Sequence, residues 1–256
     1  GYVETEDGFA INLESLEKSI SSRTKALIYN NYQNPISAAS TPEEMERIAR
    51  LALKHDLWVL SDEAYFEINY LHDSRSIVSL PGMRERTVIL YTFSKKFAMT
   101  GWRLGAAIGP EKLIQVISKL NINAESCSNH FIQYAGIEGI LGDQSGPKQI
   151  LKELEKRRDV AVNGLNSING INLATPKSTF YLFPNVSEIG RRKGFNNVTK
   201  LQEETLHNTG VSFCTRNHFG RPLQGEKDFF IRLAYSGINI DKIEEAMAKL
   251  KDYFES

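Results

Sequence analysis

Cysteine is scarce. Cys127 and Cys214 are the only two in 256 residues, and no C-x-x-C occurs. That excludes a disulfide framework and suits a reducing compartment, so a cytoplasmic location is expected. An excess of either charge is also lacking: 31 basic side chains balance 31 acidic ones. No global field favours nucleic acid or an anionic membrane, and neither is expected as a partner. No apolar run approaches the roughly 20 residues of a bilayer crossing. Gly1 to Ala10 has none of the basic-then-apolar layout of a secretory leader. The histidines, at 55, 72, 130, 207 and 218, are scattered without H-x-x-x-H spacing, so no metal site is expected. A G-x-G-x-x-G turn after a strand is missing as well, which removes a dinucleotide-binding domain. What remains is an ordinary globular composition, 41% hydrophobic and 24% charged. It suffices for one large domain or two small ones whose core needs no staple.

The first part of the chain alternates short apolar runs with helical patterns. Ala26 to Asn30 reads as a strand. Thr41-Pro-Glu-Glu44 then supplies a capping hydroxyl, a proline at the first helical position and a glutamate three residues on. Met45, Ile48, Ala49 and Ala52 follow at helical spacing and predict a helix over 42–55. Leu57 to Leu60, Val88 to Tyr91 and Leu104 to Ile108 read as further strands. Strands separated by helices predict an α/β fold with a mostly parallel sheet. A long charged helix is expected over 147–168. Beyond it, strands at 179–183, 211–214 and 229–234 and helices near 199–208 and 241–254 suggest a small α+β domain. Residues 196–197 and 221–225 read as loops by composition.

The chemistry is concentrated in Thr92-Phe-Ser-Lys-Lys-Phe-Ala-Met-Thr-Gly-Trp-Arg-Leu-Gly105. Thr92 and Ser94 alternate at a strand end, so their hydroxyls emerge on one face. Lys95 follows at the carboxyl end, where open α/β sheets place ligands, and Arg103 comes eight residues later. Two hydroxyls, a guanidinium and an amine are what a phosphate-bearing aldehyde requires. A solvated Lys-Lys turn beside a structural arginine is the plain alternative. The whole stretch resembles the lysine signature of class I and II aminotransferases, the fold-type-I enzymes that use pyridoxal 5′-phosphate (PLP). The resemblance implies that Lys95 is the Schiff-base lysine, that Thr92, Ser94 and Arg103 hold the phosphate, and that Lys96 is a solvated variable position.

Other blocks follow in the family's order. Ser61-Asp-Glu-Ala-Tyr65 resembles its S-D-E-x-Y block. Asp62 would keep the pyridine nitrogen protonated and so strengthen the electron sink, and Tyr65 would bond the phenolic oxygen. On its own, an Asp at a strand end is more often a helix cap. Asn30-Asn-Tyr-Gln-Asn-Pro35 resembles the N-x-x-x-N-P-T-G loop, with Asn34 as the second donor to the phenolic oxygen and an Asn-Pro bond that is often cis in relatives. Here Ile36-Ser37 stands in place of Thr-Gly. In Phe229-Phe-Ile-Arg-Leu-Ala-Tyr-Ser236 one arginine interrupts an apolar strand. Arg232 needs an internal carboxylate or a substrate's; the resemblance implies the substrate's α-carboxylate. Arg216 and Arg221 read either as attractors of a dicarboxylate or as solvated loop charges. Ser128 and Asn129 would reach the partner's site in a dimer.

Together these blocks imply a PLP-dependent transferase of fold type I. Residues 1–146 would form the carboxyl-terminal part of the PLP-binding large domain, 147–168 the interdomain helix and 169–256 the small α+β domain. The implied reaction is ping-pong transfer of an amino group from an L-amino acid, of aspartate type or broad range, to a 2-oxo acid such as 2-oxoglutarate, by a homodimer. Lys95, Asp62 and Tyr65 are the candidate catalytic residues. A PLP lyase acting on carbon–sulfur or carbon–carbon bonds, and a non-catalytic ligand-sensing domain, remain alternatives. Residues 1–25 read as an exposed connection with Leu13, Leu16 and Ile20 in a short helix. Nothing before Asn30 supplies a phosphate loop or a ring to stack on the pyridine. The chain is therefore expected to resemble only the carboxyl-terminal part of such an enzyme, with the rest in the native polypeptide, and residues 1–256 alone are expected to bind PLP weakly or not at all.

Overall fold

Thr41 caps its helix as the sequence predicts: its hydroxyl accepts from Glu44 N–H at 3.2 Å, and the Glu44 carboxylate accepts from Thr41 N–H at 2.9 Å. The computed structural model describes residues 1–221 and 225–256. Residues 222–224 of the loop expected at 221–225 lie outside the described residues. The chain forms two compact units. One comprises 1–3, 10–33 and 38–150; the other comprises 4–9, 34–37 and 151–256.

A ribbon of β1 (Tyr2–Thr5) and β2 (Gly8–Ile11) opens the chain. This corrects the expectation of a plain exposed connection there. The short helix expected next is present as α1 (Leu13–Ser19), with Leu13 buried. The first unit then continues through β3 (Ala26–Asn30), α2 (Pro42–Lys54), β4 (Trp58–Asp62), β5 (Thr87–Thr92) and β6 (Gly105–Ile108). The sheet order is β3-β4-β5-β6. The first two pairings are parallel and the last antiparallel, so the sheet is mostly parallel as expected. In register, Asn30 faces Asp62 and Asp62 faces Leu90. The ends of β3, β4 and β5 therefore lie side by side.

Met45, Ile48, Ala49 and Ala52 of α2 are all buried, against Tyr29, Leu57 and Val59 of the sheet side. Gly105 is required where β6 meets β5, because a Cβ there would stand 2.9 Å from Tyr91 O. Two helices follow that the periodicity did not single out, α3 (Glu111–Ala124) and α4 (His130–Leu141). No residue of α3 is buried, and Leu120, Ile122, Phe131, Tyr134, Ile140 and Leu141 are all more than half exposed. This is a broad apolar surface.

The long charged helix is α5 (Ser145–Asn166). In the second unit, β7 (Tyr181–Leu182), α6 (Ser187–Arg192), α7 (Val198–Thr209), β8 (Cys214–Thr215), β9 (Ile231–Ala234) and α8 (Ile240–Glu255) complete the chain. Its sheet is antiparallel, in the order β7-β9-β8. Expected strands at 179–183 and 211–214 shrink to two residues each, and the second is displaced to Cys214–Thr215. Ile243, Met247, Leu250 and Phe254 of α8 are buried, and Gly164 of α5 leaves room for Met247. Phe9, Phe183 and Phe230 form an aromatic cluster, the last two stacked with centroids 5.3 Å apart.

Candidate active site

Lys95 sits in the turn that leaves β5. The rings of Phe93 and Phe97, two residues to either side, stack with centroids 5.7 Å apart, and Phe93 joins Met99, Leu104 and Ile132 in a small core cluster. The turn is thus pinned on both flanks of the lysine. Lys95 Nζ lies 5.5 Å from the centroid of the buried Tyr65 ring. Thr92 Oγ1 donates to Ser94 Oγ at 2.9 Å and accepts from Ser94 N–H at 3.2 Å, so the two hydroxyls converge. Arg103 takes a left-handed conformation, φ 55° and ψ 48°. Its Nη1 donates to Thr100 O at 2.9 Å, and it makes no ion pair among the described residues.

At the end of β4, Asp62 Oδ2 accepts from Asn30 Nδ2 at 3.2 Å, and Oδ1 accepts from Ala64 N–H at 3.2 Å. The second bond is the local cap that a strand-end Asp makes on its own. The first needs β3, so Asn30 is a supporting residue that the sequence did not mark for this role. Asn30 Oδ1 is buried without a hydrogen-bond partner. The first unit therefore brings together Asp62, Tyr65, Thr92, Ser94, Lys95 and Arg103 around adjoining strand ends.

Asn34 and Arg232 fall in the second unit and meet there: Arg232 Nη1 donates to Asn34 Oδ1 at 2.9 Å. The guanidinium lies against the rings of Tyr181 and Phe219, 4.3 and 4.7 Å from their centroids, and Nη2 lies 3.7 Å from Cys214 Sγ. Its Nε is buried with no hydrogen-bond partner, and no carboxylate pairs with it among the described residues. The Asn34–Pro35 bond is cis. Ser37, standing where relatives have glycine, keeps the glycine-like geometry at φ 54°.

Two lysine and arginine expectations need correction. Lys96 is not a solvated variable position. Its side chain is 19% exposed, and Nζ donates to Glu67, whose other oxygen accepts from Tyr91 OH at 3.3 Å. Burial, with the Glu67 charge behind it, pushes the Tyr91 phenol up to about 12. Arg216 is neither a solvated charge nor an open anion site, because its Nε pairs with Glu226 at 2.9 Å with both side chains largely covered.

Glu63, beside Asp62, is buried and accepts from Ser61 Oγ at 3.0 Å and from Ser76 Oγ. Burial pushes its carboxyl above the usual range, only partly offset by those two hydroxyls. The folded chain therefore holds this proton more tightly than the unfolded chain. Its contribution to stability is full below the unfolded pKa and declines as the pH rises through the folded one. Glu63→Gln keeps an acceptor for both serines and removes the ionisation. It is expected to raise the thermal midpoint at neutral pH and leave it unchanged below about pH 4, as read by calorimetry across that range.

The family model for aminotransferase class I and II matches residues 2–250. The chain belongs to this family. It is 33% identical to the putative aminotransferase YugH of Bacillus subtilis, over 98% of the chain and 62% of that protein. It is 34% identical to an aspartate aminotransferase of Musicola paradisiaca, over 95% of the chain and 61% of the relative. The solved aromatic aminotransferase of Pyrococcus horikoshii superposes with a TM-score of 0.87 at 34% identity, covering 96% of this chain and 64% of that one. The fold is thus that of the fold-type-I enzymes. The chain spans about three fifths of the length of these curated relatives. Aminotransferases of this family use pyridoxal 5′-phosphate, and the converging hydroxyls with an arginine that meets no carboxylate suit a phosphate dianion. Among the described residues no His, Cys, Asp and Glu cluster could hold a metal ion, and no helix is long and apolar enough to cross a membrane.

Proposed function

We propose that this chain carries the lysine-bearing part of a PLP-dependent aminotransferase, which transfers an amino group from an L-amino acid of aspartate type or broad range to a 2-oxo acid such as 2-oxoglutarate. The observation that carries the reading is Lys95, held in a pinned turn directly after the Thr92–Ser94 hydroxyl pair. PLP, when bound, supplies the electron sink for breaking a bond at the substrate Cα.

Thr92, Ser94 and Arg103 are assigned to the phosphate, Asp62 to the pyridine nitrogen, and Tyr65 and Asn34 to the phenolic oxygen. The Lys95 amine is assigned the covalent attachment and then the transfer of a proton to and from Cα. Arg232 is assigned the α-carboxylate. Its planar fork has a donor to spare, and the Tyr181 and Phe219 rings lie against it.

The proposal divides the chain into 1–146 for the PLP-binding part, 147–168 for the connecting helix and 169–256 for the small domain. A homodimer is part of the proposal, supported by the apolar surface of α3 and α4, which a second copy would cover. A cytoplasmic location is supported by two cysteines that are both free.

The test is product analysis on the native protein with aspartate, aromatic and aliphatic donors, each with and without 2-oxoglutarate. Glutamate formed in step with the donor's 2-oxo acid, and only when the acceptor is present, is expected. Donor consumption that ignores the acceptor and releases a side-chain fragment would assign a lyase instead.

A further inference from the structure

Ser37 holds a backbone conformation that L residues seldom adopt, φ 54°, and is buried at 3% exposure. Glycine would take that conformation without strain, so the hydroxyl must be doing something glycine cannot. Its bonds form a directed circuit around one residue of β7. Tyr181 N–H donates to Thr179 Oγ1 at 3.2 Å, Thr179 Oγ1 and Ser37 Oγ are 2.6 Å apart, and Ser37 Oγ donates to Tyr181 O at 2.8 Å. Because the Ser37 proton is committed to Tyr181 O, Thr179 must be the donor between the two hydroxyls. Both backbone polar groups of Tyr181 are thereby held by one hydroxyl pair. Ser178 Oγ donates back to Ser37 O at 3.3 Å, and Thr179, also at positive φ, is completely buried.

The circuit ends on the arginine. The Tyr181 ring faces the Arg232 guanidinium at 4.3 Å, and Arg232 donates to Asn34, which is three residues before Ser37 in the chain. Asn34, Ser37, Tyr181 and Arg232 thus close a loop of contacts lying wholly within the second unit. Every link is short. Loosening the hydroxyl pair releases both backbone polar groups of Tyr181, the residue whose ring lies against the guanidinium.

We propose that Ser37, through Thr179 and Tyr181, is a positioning residue that fixes the plane and direction of the Arg232 guanidinium for a substrate carboxylate. This rests on the assignment of Arg232 to that carboxylate. Ser37 touches no substrate itself; it sets how well the anchor is aimed. The hydroxyls act on the backbone of Tyr181, whose ring also packs against Phe180, so the test has to separate bond donors from side-chain volume.

The test uses the native, cofactor-loaded protein and three variants, Ser37→Gly, Thr179→Val and Thr179→Ser. Ser37→Gly suits the backbone and removes the hydroxyl. Thr179→Val keeps the shape and breaks the circuit, and Thr179→Ser keeps it closed. Ser37→Gly and Thr179→Val are each expected to raise KM for both amino acid and 2-oxo acid roughly 10-fold, with kcat changed by less than about 2-fold. Affinity for succinate, a non-reacting carboxylate followed by calorimetry, is expected to fall by the same factor. The Arg232 Nε–H resonance, assigned by its loss in Arg232→Lys, is expected to shift or broaden in both variants and to keep its wild-type position in Thr179→Ser.

If Arg232→Lys weakens succinate binding while Ser37→Gly and Thr179→Val leave binding and the resonance untouched, the positioning role is wrong and the anchor assignment stands. If Arg232→Lys leaves succinate binding unchanged, the anchor assignment falls and takes this proposal with it. Should Ser37→Gly fail to accumulate as folded protein, the contrast between Thr179→Val and Thr179→Ser decides by itself: equal behaviour of the two overturns the proposal.

Discussion

Lys95→Ala is expected to abolish amino transfer, with turnover down by at least about 10²- to 10⁴-fold, the range for losing a positioned acid–base group. Under the proposed assignment, the loss of a covalent tether to the cofactor comes on top. No other amine replaces it locally. The adjacent Lys96 is directed to Glu67, which also takes the Tyr91 hydroxyl, so its ammonium is committed to a carboxylate. The informative control is therefore Lys96→Ala. It is expected to keep measurable turnover while losing stability, since Glu67 then faces only the tyrosine. Borohydride treatment followed by peptide mass analysis gives a second readout. The native protein should carry the reduced cofactor on the peptide containing residue 95, and Lys95→Ala should carry none. Unchanged turnover in Lys95→Ala would remove the basis of the whole functional assignment.

Arg232 commands the second large effect. Its guanidinium spends one nitrogen on Asn34, lies near a cysteine sulfur with another and leaves Nε buried and unmatched. An unpaired buried donor is a standing cost in the resting protein, which an arriving carboxylate would relieve under the proposed assignment. Arg232→Lys replaces a planar fork with a point charge and loses the flat stacking on Tyr181 and Phe219. The expected loss is about 1.5–3 kcal/mol of carboxylate affinity, the range for a hydrogen bond to a charged group. That corresponds to KM rising on the order of 10- to 100-fold for donor and acceptor alike. Steady-state kinetics with both substrates varied will show it. A change in KM for only one of them would mean that the two substrates do not share this anchor.

What could be read in advance divides by the range of the interaction. The α2 cap was legible because Thr41, Pro42 and Glu44 are neighbours in sequence and act on one another. The strands β3, β4 and β5 announced themselves as apolar runs, and Asp62, Tyr65, Lys95 and Arg103 stood in recognisable local blocks. The helices α3 and α4 did not show. In α4 apolar residues lie on every side, so no polar face alternates with an apolar one, whereas α3 does carry an apolar stripe, which went unmarked. Lys96 was misread because its partner lies 29 residues away, and the ribbon β1–β2 because its four-residue strands bury almost nothing. Asn30, Tyr181 and Phe219 act only through neighbours on other strands or turns. The strand expected from Thr179 shortened because Thr179 itself turns to φ 62°, a conformation that no pattern of hydrophobicity encodes.

Arg103 and Ala98 share that rare backbone geometry, at φ 55° and 53°, and this bears on any attempt to evolve the protein for heat tolerance. An L residue there costs about 1–2 kcal/mol relative to glycine's ease in the same geometry, so glycine at either site is among the first gains a screen for survival at high temperature would collect. At 98 such a gain removes only a methyl group. At 103 it deletes the guanidinium assigned to the phosphate, and a library ranked on melting point alone would be enriched in sturdy proteins that no longer hold their cofactor.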